Sequence, residues 1–98
     1  MFVKIHKTYR DVVAICDSEL LGKMFEEGGF QLHVKENFFN GEEVSEEKLI
    51  KIMQKMAADD STFNIVGAKS VKAGLKAGII SEQGIKKIQG IPFALVLV

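Results

Sequence analysis

Ser45-Glu-Glu-Lys-Leu-Ile-Lys-Ile-Met-Gln-Lys-Met-Ala-Ala58 is the stretch on which the fold turns. At about 100° per residue, Leu49, Ile50, Ile52, Met53, Met56 and Ala57 fall on one arc, and Glu47, Lys48, Lys51, Gln54 and Lys55 on the other. Ser45 stands where an N-cap hydroxyl is wanted, and Glu46 and Glu47 meet the positive end of the helix dipole. Val44 and Leu49 are spaced as a hydrophobic staple. The spacing predicts an amphipathic helix over 46–58 lying on a sheet. Downstream, Asp59-Asp-Ser61 ends it and Thr62-Phe-Asn-Ile-Val66 reads as a short strand. Gly67 then opens a second helix to about Ala77, with Gly78 placed for a left-handed cap.

Working outward to the N-terminus, Phe2–His6 alternates, Thr8-Tyr-Arg-Asp11 makes a four-residue turn, and Val12–Cys16 returns as the second arm of a hairpin. Pairing Lys7 with Val12 sets Ile5 opposite Ala14 and Val3 opposite Cys16 on one apolar face. His6 then points the other way with Phe2, Lys4, Val13 and Ile15. Asp17 is placed to cap a short helix carrying Leu20, Leu21, Met24 and Phe25, although Gly22 costs about 1 kcal/mol in its middle. Phe30–Lys35 alternates as a strand with Phe30, Leu32 and Val34 inward, and Phe38-Phe39 continues it or tucks into a turn. Toward the C-terminus, Ser81–Gly84 is at most one helical turn. Ile85–Gln89, a Gly90-Ile-Pro92 corner and Phe93–Val98 close the chain as a hairpin. The order predicts a single α+β domain over 1–98, a two-layer sandwich of mostly antiparallel sheet with helices on one face.

Composition narrows the function classes. With 98 residues, 47% hydrophobic and 27% charged, the chain has room for a modest core and is neither fibrous nor disordered. One cysteine permits no internal disulfide and suits a reducing compartment, so a cytoplasmic protein is expected. The longest apolar run, Phe93–Val98, is far too short to span a membrane, and no signal-peptide apolar region follows Met1.

Catalytic and metal chemistry find little footing. Cys16 falls on an apolar strand, so a buried inert thiol is expected. His6, His33 and Cys16 have no ligand spacing, and Glu42, Glu43, Glu46 and Glu47 read as a solvated helix start. No catalytic residue, metal or cofactor is therefore assigned. Gly67, Lys69 and Ser70 follow a strand and open a helix, as in many anion sites, but the Gly-Lys-Ser order of a nucleotide-binding loop is absent. A weak anion site there would suit a small-molecule or nucleotide-binding enzyme, and a plain N-cap glycine is the simpler alternative. The element after Gly78 is too short for a recognition helix, and no Gly-Phe-x-Phe RNA-recognition signature occurs.

Charge is the most informative feature. Residues 1–49 carry six basic and ten acidic groups and residues 50–98 seven and three, so halves of −4 and +4 hide in a total of zero. On the second helix, Ala68, Val71 and Leu75 form the expected buried stripe. Lys69, Lys72 and Lys76 fall within about 60° beside it, and Ser70, Ala73, Gly74 and Ala77 leave a small-residue arc. Lys86 and Lys87 add charge in the next element. The reading is a non-enzymatic binding or adaptor module whose five lysines meet RNA, a ribonucleoprotein or an acidic protein surface. Phe93–Val98, apolar on both sides, needs cover on both faces or a partner chain, and offers a homodimer interface.

Val13-Ala-Ile-Cys-Asp17, Glu19-Leu-Leu-Gly22, Phe25-Glu-Glu-Gly28, Asn64-Ile-Val-Gly67 leading to Ser70-Val71, and Gly90-Ile-Pro92 together resemble a small archaeal family, domain of unknown function 424. The resemblance runs over nearly the whole chain in the same order and spacing. It implies an archaeal cytoplasmic protein and a two-layer α/β sandwich, and it implies no activity. Members of that family are often encoded near translation genes, which implies an RNA-associated role without touching any residue. They commonly carry a histidine after the last proline; Phe93 stands there, so a ligand or proton-transfer role does not carry over.

Overall fold

The computed structural model describes residues 1–97. β1 (Phe2–His6) and β2 (Val12–Cys16) form the expected hairpin, but with Phe2 opposite Cys16, Lys4 opposite Ala14 and His6 opposite Val12. The register is one residue off the expected one because Lys7 belongs to the turn. Its ammonium reaches Asp11 Oδ2 at 3.1 Å, and the Thr8 N–H donates to Asp11 Oδ1 at 3.4 Å. A five-residue loop shifts every pairing by one and carries Cys16 to the face of Phe2, Lys4 and His6.

The main sheet runs β5-β1-β2-β6-β8-β7, where β5 is Glu42–Glu43, β6 Thr62–Val66, β7 Lys86–Ile88 and β8 Ile91–Val96. Only β2 and β6 pair in parallel among the described residues; the sheet is otherwise antiparallel and the fold class is α+β, as the sequence predicts. A central parallel pair needs a crossover and cover on both sides. Both are present, and Val13, Ala14, Ile15 and Cys16 are all fully buried.

Helices α2 (Glu46–Ala58) and α3 (Ala68–Ala77) cover one face. Ser45 Oγ accepts from the Lys48 N–H at 3.3 Å, and Leu49, Met53 and Met56 sink into a core with Val3, Val13, Ile15, Phe63 and Ile65. On α3 the packing departs from expectation: Ala68 is exposed and Leu75 half-buried, whereas Ser70, Val71, Ala73 and Gly74 are buried. The small-residue arc is the one that meets the sheet, because it lets the helix approach closely. A Cβ on Gly74 would lie 2.9 Å from Ile80 Cδ1.

The other face carries a smaller layer made of α1 (Glu36–Phe39) and a two-stranded ribbon, β3 (Met24–Glu27) with β4 (Phe30–His33). Leu20, Val34 and Phe39 pack there on Ala14, Cys16 and Val66. The helix expected after Asp17 stops as a 3-10 turn at Ser18–Leu20. Gly22 (φ +85°) turns the chain, its N–H donating to Val34 O at 2.7 Å, and Met24 and Phe25 become strand. Phe30 is 76% exposed rather than inward, because the ribbon leaves the sheet at its Gly28-Gly29 turn; only Val34, beyond it, is fully buried. Phe38-Phe39 is helical, not strand.

β7 and β8 close the chain through Gln89 (φ 50°) and Gly90 (φ 77°), a two-residue turn whose positive φ values match the twist of a tight hairpin. Ile91 and Pro92, read as a corner, already belong to β8. The final expected strand residue, Val98, lies outside the described residues. β8 is not an edge strand over Ile91–Phe93, where β7 encloses it. Beyond Phe93 it pairs with β6 on one side, and Leu95 and Leu97 are 57% and 78% exposed.

Candidate functional site

The helix start at Gly67 already holds an anion, and the anion is part of the chain. Asp17, 5% exposed, accepts from the Lys69 N–H at 3.1 Å (Oδ2) and from the Ser70 N–H and hydroxyl at 2.8 and 2.7 Å (Oδ1). Gly67 adopts φ +111°, and a Cβ on it would sit 2.3 Å from Asp17 Cγ. Gly67, Lys69 and Ser70 therefore come together as expected, but as the cradle of an internal carboxylate. That corrects the anion-site reading and removes the donors on which a nucleotide-binding enzyme would rely. Asp17 caps α3 from 50 residues away rather than its own short turn, whose N-cap side chain makes no such bond.

The five lysines do not form one patch. Lys69 Nζ lies 3.9 Å from Glu19, and Lys76 Nζ 2.8 Å from Glu46 Oε1. The hydrogen bond from Lys76, with the charges of Lys76 and Lys72, holds the Glu46 carboxyl below its usual range. The acidic half of the chain thus folds onto the α3 lysine stripe. Lys86 pairs with Phe93 and Lys87 with Pro92, so their side chains leave opposite faces of β7. Neither has an ion-pair partner among the described residues.

Cys16 is fully buried, and burial, with the nearby Asp17 charge, pushes its thiol up to about 11. His6 is stacked on Phe38 with ring centroids 4.6 Å apart, its Nε2 2.9 Å from Phe38 O. His33 is exposed at the end of β4. Among the described residues no His/Cys/Asp/Glu cluster has metal-holding geometry, and no helix is long and apolar enough to cross a membrane.

Two adjoining hollows open on the face carrying the small layer. Lys4, Ala14, Asn64 and Leu95 stand in one row across the sheet, and Phe2, Cys16, Val66, Phe93 and Lys86 in the next. α1 packs over the β1–β2 end and the β3–β4 ribbon over the β7 end, leaving Asn64 half-buried and Leu95 exposed between them. One hollow, about 250 Å3, is lined by Asn64, Phe93 and Leu95 on the floor, Phe38 and Phe39 on one wall and Leu32 and His33 on the other. The second, about 510 Å3, lies between the ribbon and the β7–β8 hairpin, with Phe30, Leu32, Ile88 and Phe93 as apolar lining and Glu27, Gln31, Lys86 and Lys87 around it. The ribbon is tied across it, the Gln89 N–H donating to Glu27 Oε1 at 2.5 Å and the Gln89 amide to Glu26 O at 2.6 Å. Of these residues sequence reasoning singled out the two lysines; a polar Asn64 inside Thr62-Phe-Asn-Ile-Val66 was the signal for the rest.

A comparison with curated proteins finds no match. Among solved structures, an uncharacterized conserved protein from the archaeon Methanopyrus kandleri is similar in fold, with a TM-score of 0.87 and 25% identity, covering 97% of this chain and 88% of the other. The family described as protein of unknown function (DUF424) matches residues 5–98. With all but its first four residues inside that match, the chain belongs to the DUF424 family.

Proposed function

We propose that the chain is a non-catalytic binding module that holds single-stranded RNA, free or within a ribonucleoprotein, at the cleft between the β3–β4 ribbon and the β7–β8 hairpin. The observation that carries this reading is an aromatic ring, Phe30, that is 76% exposed and lines the same cleft as Lys86, with Lys87 at its rim on the other face of β7 and neither lysine ion-paired among the described residues. Lysines supply sequence-independent phosphate contact, and exposed rings supply stacking surface for bases. Lys76 is ion-paired with Glu46 and Lys69 lies near Glu19, so the α3 lysines contribute less. The shielded Cys16 thiol supports a binding rather than a nucleophilic role.

Fluorescence anisotropy with a labelled single-stranded RNA at a series of salt concentrations tests the reading. Two phosphate contacts give a log–log slope of about −1.4, whereas all five lysines acting together give about −3.5. Changing Lys86 and Lys87 together to Gln should abolish binding, and changing Lys69, Lys72 and Lys76 to Gln should leave most of it. No binding at low salt removes RNA as the partner and favours an acidic protein surface.

A further inference from the structure

We propose that the smaller hollow is a pocket for one planar heterocycle of the nucleobase class, with the Asn64 side chain as its recognition group. Asn is disfavoured in strands, and Asn64 occupies the middle of β6, between β2 and β8, where its neighbours on the same face are Thr62, Ala14, Val66 and Leu95. Its carboxamide has no hydrogen-bond partner among the described residues. Asn64 is half-buried and its amide atoms still reach the hollow, so they are open to pair with an incoming ligand.

The surroundings select the ligand. A carboxamide presents an acceptor and two donors side by side, the complement of a base edge carrying adjacent donor and acceptor, as adenine does. Leu95 and Phe93 on the floor, with Phe38 and Leu32 on the walls, bring flat and apolar surface of the kind on which bases rest. At about 250 Å3 the hollow lies under the roughly 300–1,000 Å3 of drug-sized sites, so it suits one ring system. Leu32 and Phe93 also line the lysine cleft, so a base held here can belong to a strand whose phosphates reach Lys86. A free nucleoside satisfies the same chemistry, and the pocket stands independently of the RNA reading.

Adenosine, cytidine, guanosine and uridine are titrated separately into 15N-labelled protein while the Asn64 side-chain amide resonances are followed. At least one should shift them saturably, and Asn64→Leu should weaken that nucleoside at least tenfold. The same variant should melt no lower than the parent, because the amide makes no hydrogen bond to the described residues; a structural Asn64 would give a lower melting temperature instead. An RNA arm separates the sources. Nucleoside binding without RNA binding keeps the pocket and ends the RNA reading; RNA binding that moves Asn64 joins them. Silence at Asn64 with all four nucleosides and with RNA, equal affinity in Asn64→Leu, or a destabilised Asn64→Leu overturns the proposal.

Discussion

Replacing Asp17 by Ala should be among the most destabilising single changes in the protein. Three donors depend on that carboxylate: the Lys69 and Ser70 amides and the Ser70 hydroxyl. Loss of an N-cap acceptor costs about 1 kcal/mol. Ser70 is fully buried, so its two donors lose their partner in a dry site, adding about 1–3 kcal/mol. A total near 3 kcal/mol, at roughly 4–8 °C per kcal/mol for a domain of this size, lowers the melting temperature by about 12–24 °C. Asp17→Asn keeps the shape and one acceptor, and should lose about half as much. The sharper test is a double-mutant cycle with Gly67→Ala, followed by urea denaturation. In the parent, the new Cβ collides with Asp17 Cγ; without that carboxylate its three nearest clashes are gone, while the backbone strain at φ +111° remains. Gly67→Ala should therefore cost at least about 1 kcal/mol less in the Asp17→Ala background. Additive energies, or an Asp17→Ala cost below about 1 kcal/mol, would refute the idea that these residues form one unit.

Cys16 should label slowly with a thiol reagent in native protein and rapidly in denaturant. Its thiol titrates near 11 when folded and near 9.0 ordinarily, so it contributes stability that is full below pH 9 and falls as pH rises toward 11; Cys16→Ala should flatten that alkaline decline. Lys76→Gln should raise the Glu46 pKa toward its ordinary value in an NMR titration, since Lys76 is the main cause of its depression. Leu49→Ala should cost about 2–5 kcal/mol in urea, because Leu49 is fully buried against the sheet. Deleting residues 94–98 should abolish cooperative melting, since Ala94, Leu95 and Val96 pair with Ile65, Asn64 and Phe63.

The bounds of α2 and α3 were legible in the sequence, from Ser45, the apolar arc through Met56, and Gly78, whereas the face α3 turns to the sheet was not, because its small residues Ser70, Ala73 and Gly74 are buried in place of Ala68. The small layer was not, because Gly22 turns the chain where local spacing favours a helix, and the ribbon's Phe30 alternates as if buried while facing solvent. The lysines were legible as charge but not as a patch. Which acid folds onto Lys69 or Lys76 is decided by long-range packing, and the opposite facing of Lys86 and Lys87 follows from strand pairing. The role of Asp17 was hidden for the same reason, since its partners lie more than fifty residues away and only the fold brings them together. Asn64 was visible as a polar residue in an apolar strand, but its emptiness of partners appears only once both faces of the sheet are built.

The binding account is tested most directly by mapping single-stranded RNA onto 15N-labelled protein at low salt. It predicts backbone amide shifts confined to the cleft, at Phe30, Gln31, Leu32, Lys86, Lys87, Ile88 and Phe93, fading as salt is raised, with α3 unmoved. Shifts concentrated on α3 around Lys69, Lys72 and Lys76, or no shifts at all, would contradict it.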